Sequence, residues 1–331
     1  MEYRQLGRTE MKVSTVCLGC WALIGDATWG DQDRDASLAT LRAAVEAGIT
    51  FFDTAPGYGG GESEELVGRA LADVRDDVIL ATKVPGDQLA PEQVIASCET
   101  SLRLLGTDAI DLLQIHWPRP DVPLAETLGA MERLKRQGKI RAIGVSNFGA
   151  SYLEELVALG RAETNQVCYS LLWRPIEHEV APVCMEHDIG ILCYSPLCQG
   201  LLTGKFASAD DVPQGRARTR LFSKHRPQAR HDEPGCEAET FEAIARLRRI
   251  ADGAGQPMGR MALAWLLAQP GVTSVVAGAR SVRQVAENAV AGDLHLGAST
   301  LAALSAATET VKARIGTNAD MWQTESRMER G

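Results

Sequence analysis

Apolar and polar positions along the chain follow two alternating patterns. Short continuous apolar runs are each followed by a longer segment in which apolar residues recur about every 3.6 positions. The short runs are typical of parallel strands covered on both faces, and the longer segments of amphipathic helices. Eight such pairs follow one another, with strand-like runs VSTVCLGC, TFFDTA, VILATKV, AIDLLQIHWP, IRAIGVSNF, TNQVCYS, ILCYSPL and VTSVVAGA. This repeat predicts an α/β fold, a (β/α)8 TIM barrel.

The main competing fold is an open doubly wound sheet, which also alternates strands with helices. Such a sheet usually carries a G-x-G-x-x-G motif after its first strand, whereas the corresponding segment here reads LGCWALIG. No linker of domain size interrupts the repeat. We therefore expect residues 1–331 to form a single barrel domain, because closed α/β barrels often reach this length.

Four segments fall outside the eight pairs. Residues 2–13 have the pattern of a small hairpin around GRTE that could close one end of the barrel, and residues 258–269 and 299–315 each predict an extra helix. Residues 198–235 form a long polar loop rich in Arg, Gln, Asp and Pro. A loop of this length is more often a functional lid than a passive connection.

Composition and charge narrow the class of protein. Hydrophobic residues make up 45% of the chain and charged residues 23%, which is ordinary for a globular protein. The formal net charge of -9 argues against binding to nucleic acid or anionic lipid, since both need clustered Lys and Arg. The amino terminus is polar, and no apolar run is long enough for a membrane span. We expect a cytoplasmic protein with a small-molecule substrate.

The cysteines and several histidines give no metal-site signal. Eight cysteines are present, and without an export signal we expect them to be reduced and buried. Cys17 and Cys20 lie three positions apart in a strand-like run and so point to opposite faces, and no second pair completes four ligands, which argues against a zinc site. Four histidines lack ligand spacing and are predicted at the surface: His178, His187, His225 and His231. No metal site is predicted.

Polar or ionisable residues recur where the predicted strands end. In a barrel of this type the active site lies at the carboxyl ends of the strands. The residues at those ends are Trp21, Asp53, Tyr58, Lys83, His116, Ser146, Asn147, Gln166, Tyr169, Tyr194, Ser195, Gly278 and Arg280. A ring of such residues on otherwise apolar strands predicts an active site at this end of the barrel.

Four of these residues predict proton transfer to a carbonyl group. A phenol is a poor acid at neutral pH, but an adjacent ammonium lowers its pKa, and a carboxylate can hold the ammonium in place. Asp53, Lys83 and Tyr58 could form that relay, and His116 could orient the carbonyl oxygen. Since no side chain supplies a hydride, reduction of the carbonyl would require a nicotinamide cofactor.

The motifs around these residues are similar to those of the aldo-keto reductase family over essentially the whole chain. They occur in the family's order as DTAPGYGGGESE, ATK at 81–83, LLQIHWP at 112–118, IGVSNF at 143–148, NQVCYS at 165–170 and YSPL at 194–197. The amino terminus and the long loop after YSPL resemble the bacterial members and the channel-associated β subunits. The resemblance implies that Tyr58 is the general acid, tuned by Lys83 and Asp53, and that His116 orients the carbonyl.

The same resemblance implies a cofactor site. Ser146, Asn147 and Gln166 would bind the nicotinamide amide, and Tyr194 would stack on the ring. The remaining contacts, to pyrophosphate, adenosine phosphate and adenine, would come from Ser195, Leu197, Lys205, Gly278, Arg280, Gln284 and Asn288. One departure is Ala277, where the family often has proline, which bears on the shape of that loop.

The guanidinium of Arg280 can grip a 2'-phosphate bidentately, which favours NADP(H) and leaves NAD(H) as an alternative. Trp21 and Trp117 flank the predicted catalytic positions, so we expect them to line a substrate pocket.

Two function classes follow. One is an NADP-dependent reductase of aldehydes and ketones, or its reverse with a sugar or polyol. The other is a cofactor-binding regulatory subunit with little turnover. A homo-oligomer is left open.

Overall fold

The computed structural model describes residues 1–330 and contains a closed barrel of eight parallel strands. A two-stranded antiparallel hairpin, β1 (Tyr3–Gln5) and β2 (Lys12–Ser14), precedes it. The barrel strands are β3 (Val16–Gly19), β4 (Phe51–Asp53), β5 (Ile79–Val84), β6 (Ile110–Ile115), β7 (Ile140–Ser146), β8 (Thr164–Cys168), β9 (Gly190–Tyr194) and β10 (Val272–Gly278). Because β10 pairs with both β3 and β9, the sheet is closed. The barrel prediction is confirmed over the open sheet.

Helices surround the barrel and alternate with its strands as the apolar pattern predicts. Their bounds are α1 (Arg34–Glu46), α2 (Glu62–Leu71), α3 (Pro91–Leu105), α4 (Leu124–Arg136), α5 (Ala150–Leu159), α6 (Val180–Glu186), α7 (Glu237–Gly253), α8 (Met258–Leu267), α9 (Val282–Ala289), α10 (Ala298–Ala307) and α11 (Glu309–Ile315). The extra helix predicted at 258–269 is α8. The segment 299–315 is two helices rather than one, since Thr308 leaves the helical backbone at φ -111° and ψ 3°.

The hairpin closes the amino-terminal end of the barrel. Leu6 and Val13 are fully buried and belong to the same apolar cluster as barrel residues such as Phe51 and Leu112. The guanidinium of Arg4 donates to the carbonyl oxygen of Val272, at the start of β10, over 2.7 Å. The predicted plug is therefore present, and a cavity within the barrel can open only at the carboxyl ends of the strands.

The long loop at 198–235 contains two short 3-10 turns, Cys198–Thr203 and Ala209–Asp211, and neither an α-helix nor a strand. Although its sequence is mostly polar, the loop buries three large apolar side chains, Leu202, Leu221 and Phe222. The loop is therefore anchored to the barrel by apolar contacts of its own.

Two sequence-based expectations concern cysteine and histidine. Cys17 packs inside the barrel and Cys20 between the barrel and its helices, so the predicted opposite orientation is confirmed. Over residues 1–330 no group of three metal-binding side chains is brought together. The surface prediction for His231 is wrong: its side chain is buried, with Nε2 at 3.1 Å from the carbonyl oxygen of Thr219. None of the described helices is long and apolar enough to cross a membrane.

Candidate active site

A cavity of about 970 Å³ opens at the carboxyl ends of the barrel strands. Every residue predicted for catalysis, cofactor or substrate lines it, apart from Lys83, which lies directly behind. Tyr169, which was predicted at a strand end beside them, does not line the cavity, because its hydroxyl donates to Oε1 of Glu177 over 2.8 Å. Those lining residues are Trp21, Asp53, Tyr58, His116, Trp117, Ser146, Asn147, Gln166, Tyr194, Ser195, Leu197, Lys205, Gly278, Arg280, Gln284 and Asn288. The structure thus brings together residues that are spread over most of the chain.

Tyr58 is placed by a turn whose backbone favours glycine. Gly59, Gly60 and Gly61 follow it with φ values of 64°, 65° and 104°, a backbone region that favours glycine. A Cβ atom at Gly61 would also lie 2.8 Å from a side-chain carbon of Leu104. The three glycines therefore carry the chain from β4 into α2 within a few residues and hold Tyr58 at the cavity wall.

Asp53, Lys83 and Tyr58 form a polar chain that leads from the barrel interior to the cavity wall. The Nζ atom of Lys83 lies 2.6 Å from Oδ1 of Asp53, 2.9 Å from the carbonyl oxygen of Thr54 and 3.4 Å from the hydroxyl oxygen of Tyr58. Lys83 is 1% exposed and Asp53 is 2% exposed. Because solvent cannot stabilise either charge there, the ammonium is held by the carboxylate and directed at the phenol.

Two amide side chains satisfy the other oxygen of Asp53. Nε2 of Gln114 and Nε2 of Gln166 donate to Oδ2 of Asp53 over 3.0 and 2.8 Å. Gln114 was not predicted from the sequence, although a polar residue on the apolar strand β6 was a readable signal. Gln166 was predicted to bind a nicotinamide amide; in this structure its amide nitrogen helps to fix the carboxylate.

The pKa of Tyr58 differs from the expectation based on the sequence. Burial raises the pKa of Tyr58 above its usual value, and the ammonium of Lys83 only partly opposes this effect. The expected net lowering of the Tyr58 pKa is therefore wrong, because desolvation of the phenolate outweighs the neighbouring charge. Burial by itself would lower the pKa of Lys83, but Asp53 and Tyr58 raise it overall, so the lysine is charged.

His116 lies beside Tyr58 and is neutral. The two ring centroids are 6.3 Å apart at an angle of 86°, an edge-to-face arrangement. Burial and then the charge of Lys83 lower the pKa of His116 to about 3. A neutral imidazole at this place can donate one hydrogen bond without introducing a second cation. On the other side, Trp21 stacks on Tyr58 with centroids 5.9 Å apart.

Asn147 connects three strand ends of the cavity. Its Nδ2 donates to the carbonyl oxygen of His116 over 3.0 Å, and its Oδ1 accepts from the hydroxyl of Tyr194 over 2.9 Å. Ser146 donates from Oγ to the carbonyl oxygen of Gln166 over 2.8 Å. These contacts keep the aromatic face of Tyr194 and the polar atoms of β7 at fixed positions.

The far end of the cavity is cationic. Lys205, Arg216 and Arg280 lie close enough that burial, and then the two arginine charges, lower the pKa of Lys205. The guanidinium of Arg280 donates to the carbonyl oxygens of Trp29 and Asp31 and to Oε1 of Gln32. Arg280 therefore joins the start of α9 to the loop that follows β3.

Gln199, at the start of the long loop, is a lining residue that sequence reasoning missed. Its side chain is 6% exposed, its φ is 54°, and neither amide atom has a partner among residues 1–330. Burial of an unsatisfied amide is costly. A polar group that enters the cavity would relieve that cost.

The carboxyl-terminal tail supplies further lining residues that were missed: Trp322, Gln323 and Arg327. The guanidinium of Arg327 lies 3.8 Å from the ring centroid of Trp117 and donates from Nε to Asp320 over 2.7 Å. Glu329 accepts hydrogen bonds from the backbone nitrogens of Ala150 and Ser151 at the start of α5. The tail is thereby fixed across the mouth of the cavity.

Several named proteins are similar in sequence to this chain over most of its length. It is 38% identical to "Aldo-keto reductase YhdN" of Bacillus subtilis over 300 residues, with 86% of this chain and 87% of the relative covered. It is 34% identical to "NADH-specific methylglyoxal reductase" of Escherichia coli, with 88% and 93% covered. A "Probable voltage-gated potassium channel subunit beta" of Arabidopsis thaliana is 29% identical, with 89% and 92% covered.

Solved structures and a family model agree with these relatives. An aldo-keto reductase from Klebsiella pneumoniae in complex with NADPH superposes with a TM-score of 0.74 at 30% identity, with 92% of this chain and 94% of that chain covered. A model of the Aldo/keto reductase family matches residues 15–309. The chain belongs to the aldo/keto reductase family, on the branch that includes bacterial reductases and channel β subunits.

Proposed function

We propose that this protein is an NADP(H)-dependent oxidoreductase that reduces aldehydes and ketones to alcohols, or oxidises a sugar or polyol in the reverse direction, with Tyr58 as the general acid or base. The observation that carries the proposal is the position of the Lys83 ammonium, 2.6 Å from Asp53 and 3.4 Å from the Tyr58 hydroxyl. Residues 1–331 would act as one catalytic domain.

The cavity has the chemistry that a dinucleotide would need. Its cationic end, formed by Lys205, Arg216 and Arg280, suits phosphate groups, and the unsatisfied amide of Gln199 offers further hydrogen bonds. Ser281 caps α9 beside them, so the amino-terminal end of that helix also favours an anion. Ser146, Asn147, Gln166 and Tyr194 line the part of the cavity nearer to Tyr58.

A reduced nicotinamide, when bound, supplies the hydride that no side chain can provide. The task left to the protein is the proton. Tyr58 donates its hydroxyl proton to the oxygen of the substrate carbonyl, and the tyrosinate that results is stabilised by the adjacent ammonium of Lys83. Asp53, held by Gln114 and Gln166, keeps that ammonium charged and oriented.

His116 has a different part in this proposal. Because its pKa is lowered to about 3, the ring is neutral over the whole physiological range. It can donate a hydrogen bond to the carbonyl oxygen and orient it towards Tyr58, but it cannot act as the principal acid. Because burial raises its pKa, Tyr58 holds its proton at neutral pH, and the Lys83 ammonium would favour proton transfer by stabilising the tyrosinate as it forms.

NADP(H) is the proposed cofactor, with NAD(H) as the alternative. Arg280 could bind a 2'-phosphate through two charge-assisted hydrogen bonds, and a related structure from Klebsiella pneumoniae contains NADPH. The NADH-specific relative from Escherichia coli shows that this family includes the other choice. The present contacts of Arg280 are to backbone carbonyls of the loop after β3, which a phosphate would have to share or replace.

The second candidate function is a cofactor-binding regulatory subunit, which the channel β subunit relative favours. The two candidates differ in turnover. The experiment that separates them is reduction of a panel of aldehydes, ketones and aldoses, monitored through the loss of absorbance of NADPH or NADH as the cofactor is oxidised. Turnover of simple aldehydes supports the reductase, whereas tight cofactor binding without turnover of any member supports the regulatory subunit.

A further inference from the structure

Arg218 is a second cationic element of the cavity, distinct from the one at its far end. It lies in the long loop, is half-buried, and lines the cavity. Its guanidinium carbon lies 6.0 Å from the ring centroid of Trp21 and 4.8 Å from that of Trp322. Since Trp21 stacks on Tyr58, Arg218 is separated from the proposed general acid by a single aromatic side chain.

The guanidinium of Arg218 lacks the partners that its neighbours have. Arg220 and Arg226 in the same loop form ion pairs with Glu233 and Glu237. In Arg218, by contrast, the buried Nε has no acceptor among residues 1–330, and no carboxylate in that range forms an ion pair with the guanidinium. A half-buried guanidinium without an anion is unusual, because its desolvation is not compensated.

The acidic groups bonded to the two tryptophans beside Arg218 are already used: Asp26 bonds to Trp21 and Asp320 to Trp322. Asp26 accepts hydrogen bonds from Nε1 of Trp21 and from the backbone nitrogens of Thr28 and Trp29, over 2.8 to 2.9 Å. Asp320 is paired with Arg327 over 2.7 Å. Burial and then the charge of Arg230 lower the pKa of Arg218, and Asp26 opposes this only in part. A net positive charge therefore faces this side of the cavity.

This cation does not belong to the proposed phosphate end. Lys205, Arg216 and Arg280 influence one another there, while the charges that act on Arg218 are those of Arg230 and Asp26. The aromatic contacts of Arg218 are to Trp21 and Trp322, which lie on the side of Tyr58 and of the tail. A substrate with its carbonyl at Tyr58 would reach Arg218 with a part that extends away from the reacting atoms.

We propose that Arg218, held between Trp21 and Trp322, binds an anionic group of the substrate, and that the preferred substrates are carbonyl compounds that carry a carboxylate or a phosphate. This inference rests on the proposed reductase function and specifies its substrate class. Arg218 would act as a specificity residue: it contacts the substrate at a distance from the reacting atoms. Its contribution would appear in KM more than in kcat, because the contact is equal in the ground and transition states.

The test compares charged and neutral substrates of similar shape. The ratio of kcat/KM for 3- and 4-carboxybenzaldehyde to that for the corresponding formylbenzamides would be measured on the wild type, Arg218→Gln and Arg218→Lys. D-glyceraldehyde 3-phosphate against D-glyceraldehyde gives the same comparison for phosphate. We expect a wild-type ratio above one for at least one anion, a loss of about tenfold in Arg218→Gln, and partial retention in Arg218→Lys, which keeps the charge.

The matched control is Arg249→Gln, which removes the same charge from an exposed position on α7 outside the cavity. It should leave the ratio unchanged. Titration calorimetry of benzoate against benzamide on the enzyme saturated with NADP+ tests anion binding independently of turnover.

Failure of the reductase function would appear as no turnover of the neutral aldehydes. Failure of this inference would appear as a ratio, and a benzoate affinity, that Arg218→Gln does not change. An equal loss of NADPH affinity in Arg218→Gln would assign the residue to the cofactor instead and would also overturn the inference.

Discussion

Removal of the Lys83 ammonium is the perturbation whose energetic cost the structure defines best. In Lys83→Met a side chain of similar length remains, but the carboxylate of Asp53, 2% exposed, loses its 2.6 Å ion pair. Removal of one partner of a buried ion pair usually costs about 3 to 5 kcal/mol, because the other charge is left uncompensated. The hydrogen bonds from Gln114 and Gln166 persist and reduce the penalty. We therefore expect a loss of about 3 kcal/mol of unfolding free energy.

Urea unfolding, followed by tryptophan fluorescence without cofactor, measures this loss. The matched control is Lys139→Met, in which a lysine lies at the same 2.6 Å distance from a carboxylate, Glu99, but the two side chains are 33% and 52% exposed. An exposed pair should contribute only about 0 to 1 kcal/mol. The double variant Lys83→Met with Asp53→Asn should recover part of the loss, since no buried charge is then left without a partner.

The outcome that would refute this reasoning is a Lys83→Met variant no less stable than Lys139→Met. The Lys83 ammonium would then not compensate the buried Asp53 carboxylate. The loss of unfolding free energy in the double variant can also be compared with the summed losses of the two single variants. A larger loss in the double variant would refute the assignment, because it would show that the cost of Lys83→Met does not come from the charge of Asp53.

Three further predictions follow from the site. Arg280→Ala should reduce the preference for NADPH over NADH by roughly tenfold or more, measured by fluorescence titration of both cofactors. An unchanged ratio of the two affinities would show that Arg280 only connects to the loop after β3 and does not select the cofactor. Because the pKa of His116 is lowered to about 3, its ring should show no protonation by NMR between pH 5 and 8, and a titration midpoint near 6.5 would contradict the burial argument. Limited proteolysis should cleave the segment 198–235 more slowly with saturating NADPH, and cleavage that is indifferent to the cofactor would rule out a lid that closes over it.

Much of the fold and of the candidate site could be predicted because both depend on strand order. In a parallel barrel all carboxyl ends meet on one face, so residues that end different strands must converge. The register shows how: Asp53 pairs with Ala81, which places Lys83 two residues further along the neighbouring strand and facing the same way. The apolar pattern was sufficient to predict the strands and their order, whereas the register itself is seen only in the structure.

The properties that were missed depend on burial and on contacts between distant segments. The raised pKa of Tyr58 reflects desolvation of a phenol at the cavity wall, which sequence spacing does not encode. Gln114 on β6 lies opposite Lys83 on the neighbouring strand β5. Its hydrogen bond to Asp53, one strand further on, could therefore be found only from the observed register. The tail has no apolar periodicity, so nothing in its sequence indicated that Trp322 would reach the cavity.

The central claim is that Tyr58 donates the proton to the substrate carbonyl, and single-turnover kinetics tests it most directly. Enzyme preloaded with NADPH would be mixed with an aldehyde in a stopped-flow instrument and the loss of reduced cofactor followed, for the wild type and for Tyr58→Phe. The account predicts unchanged NADPH affinity and a rate of reduction that falls by about 10²-fold or more in the variant. A Tyr58→Phe variant that reduces the aldehyde at the wild-type rate would contradict it.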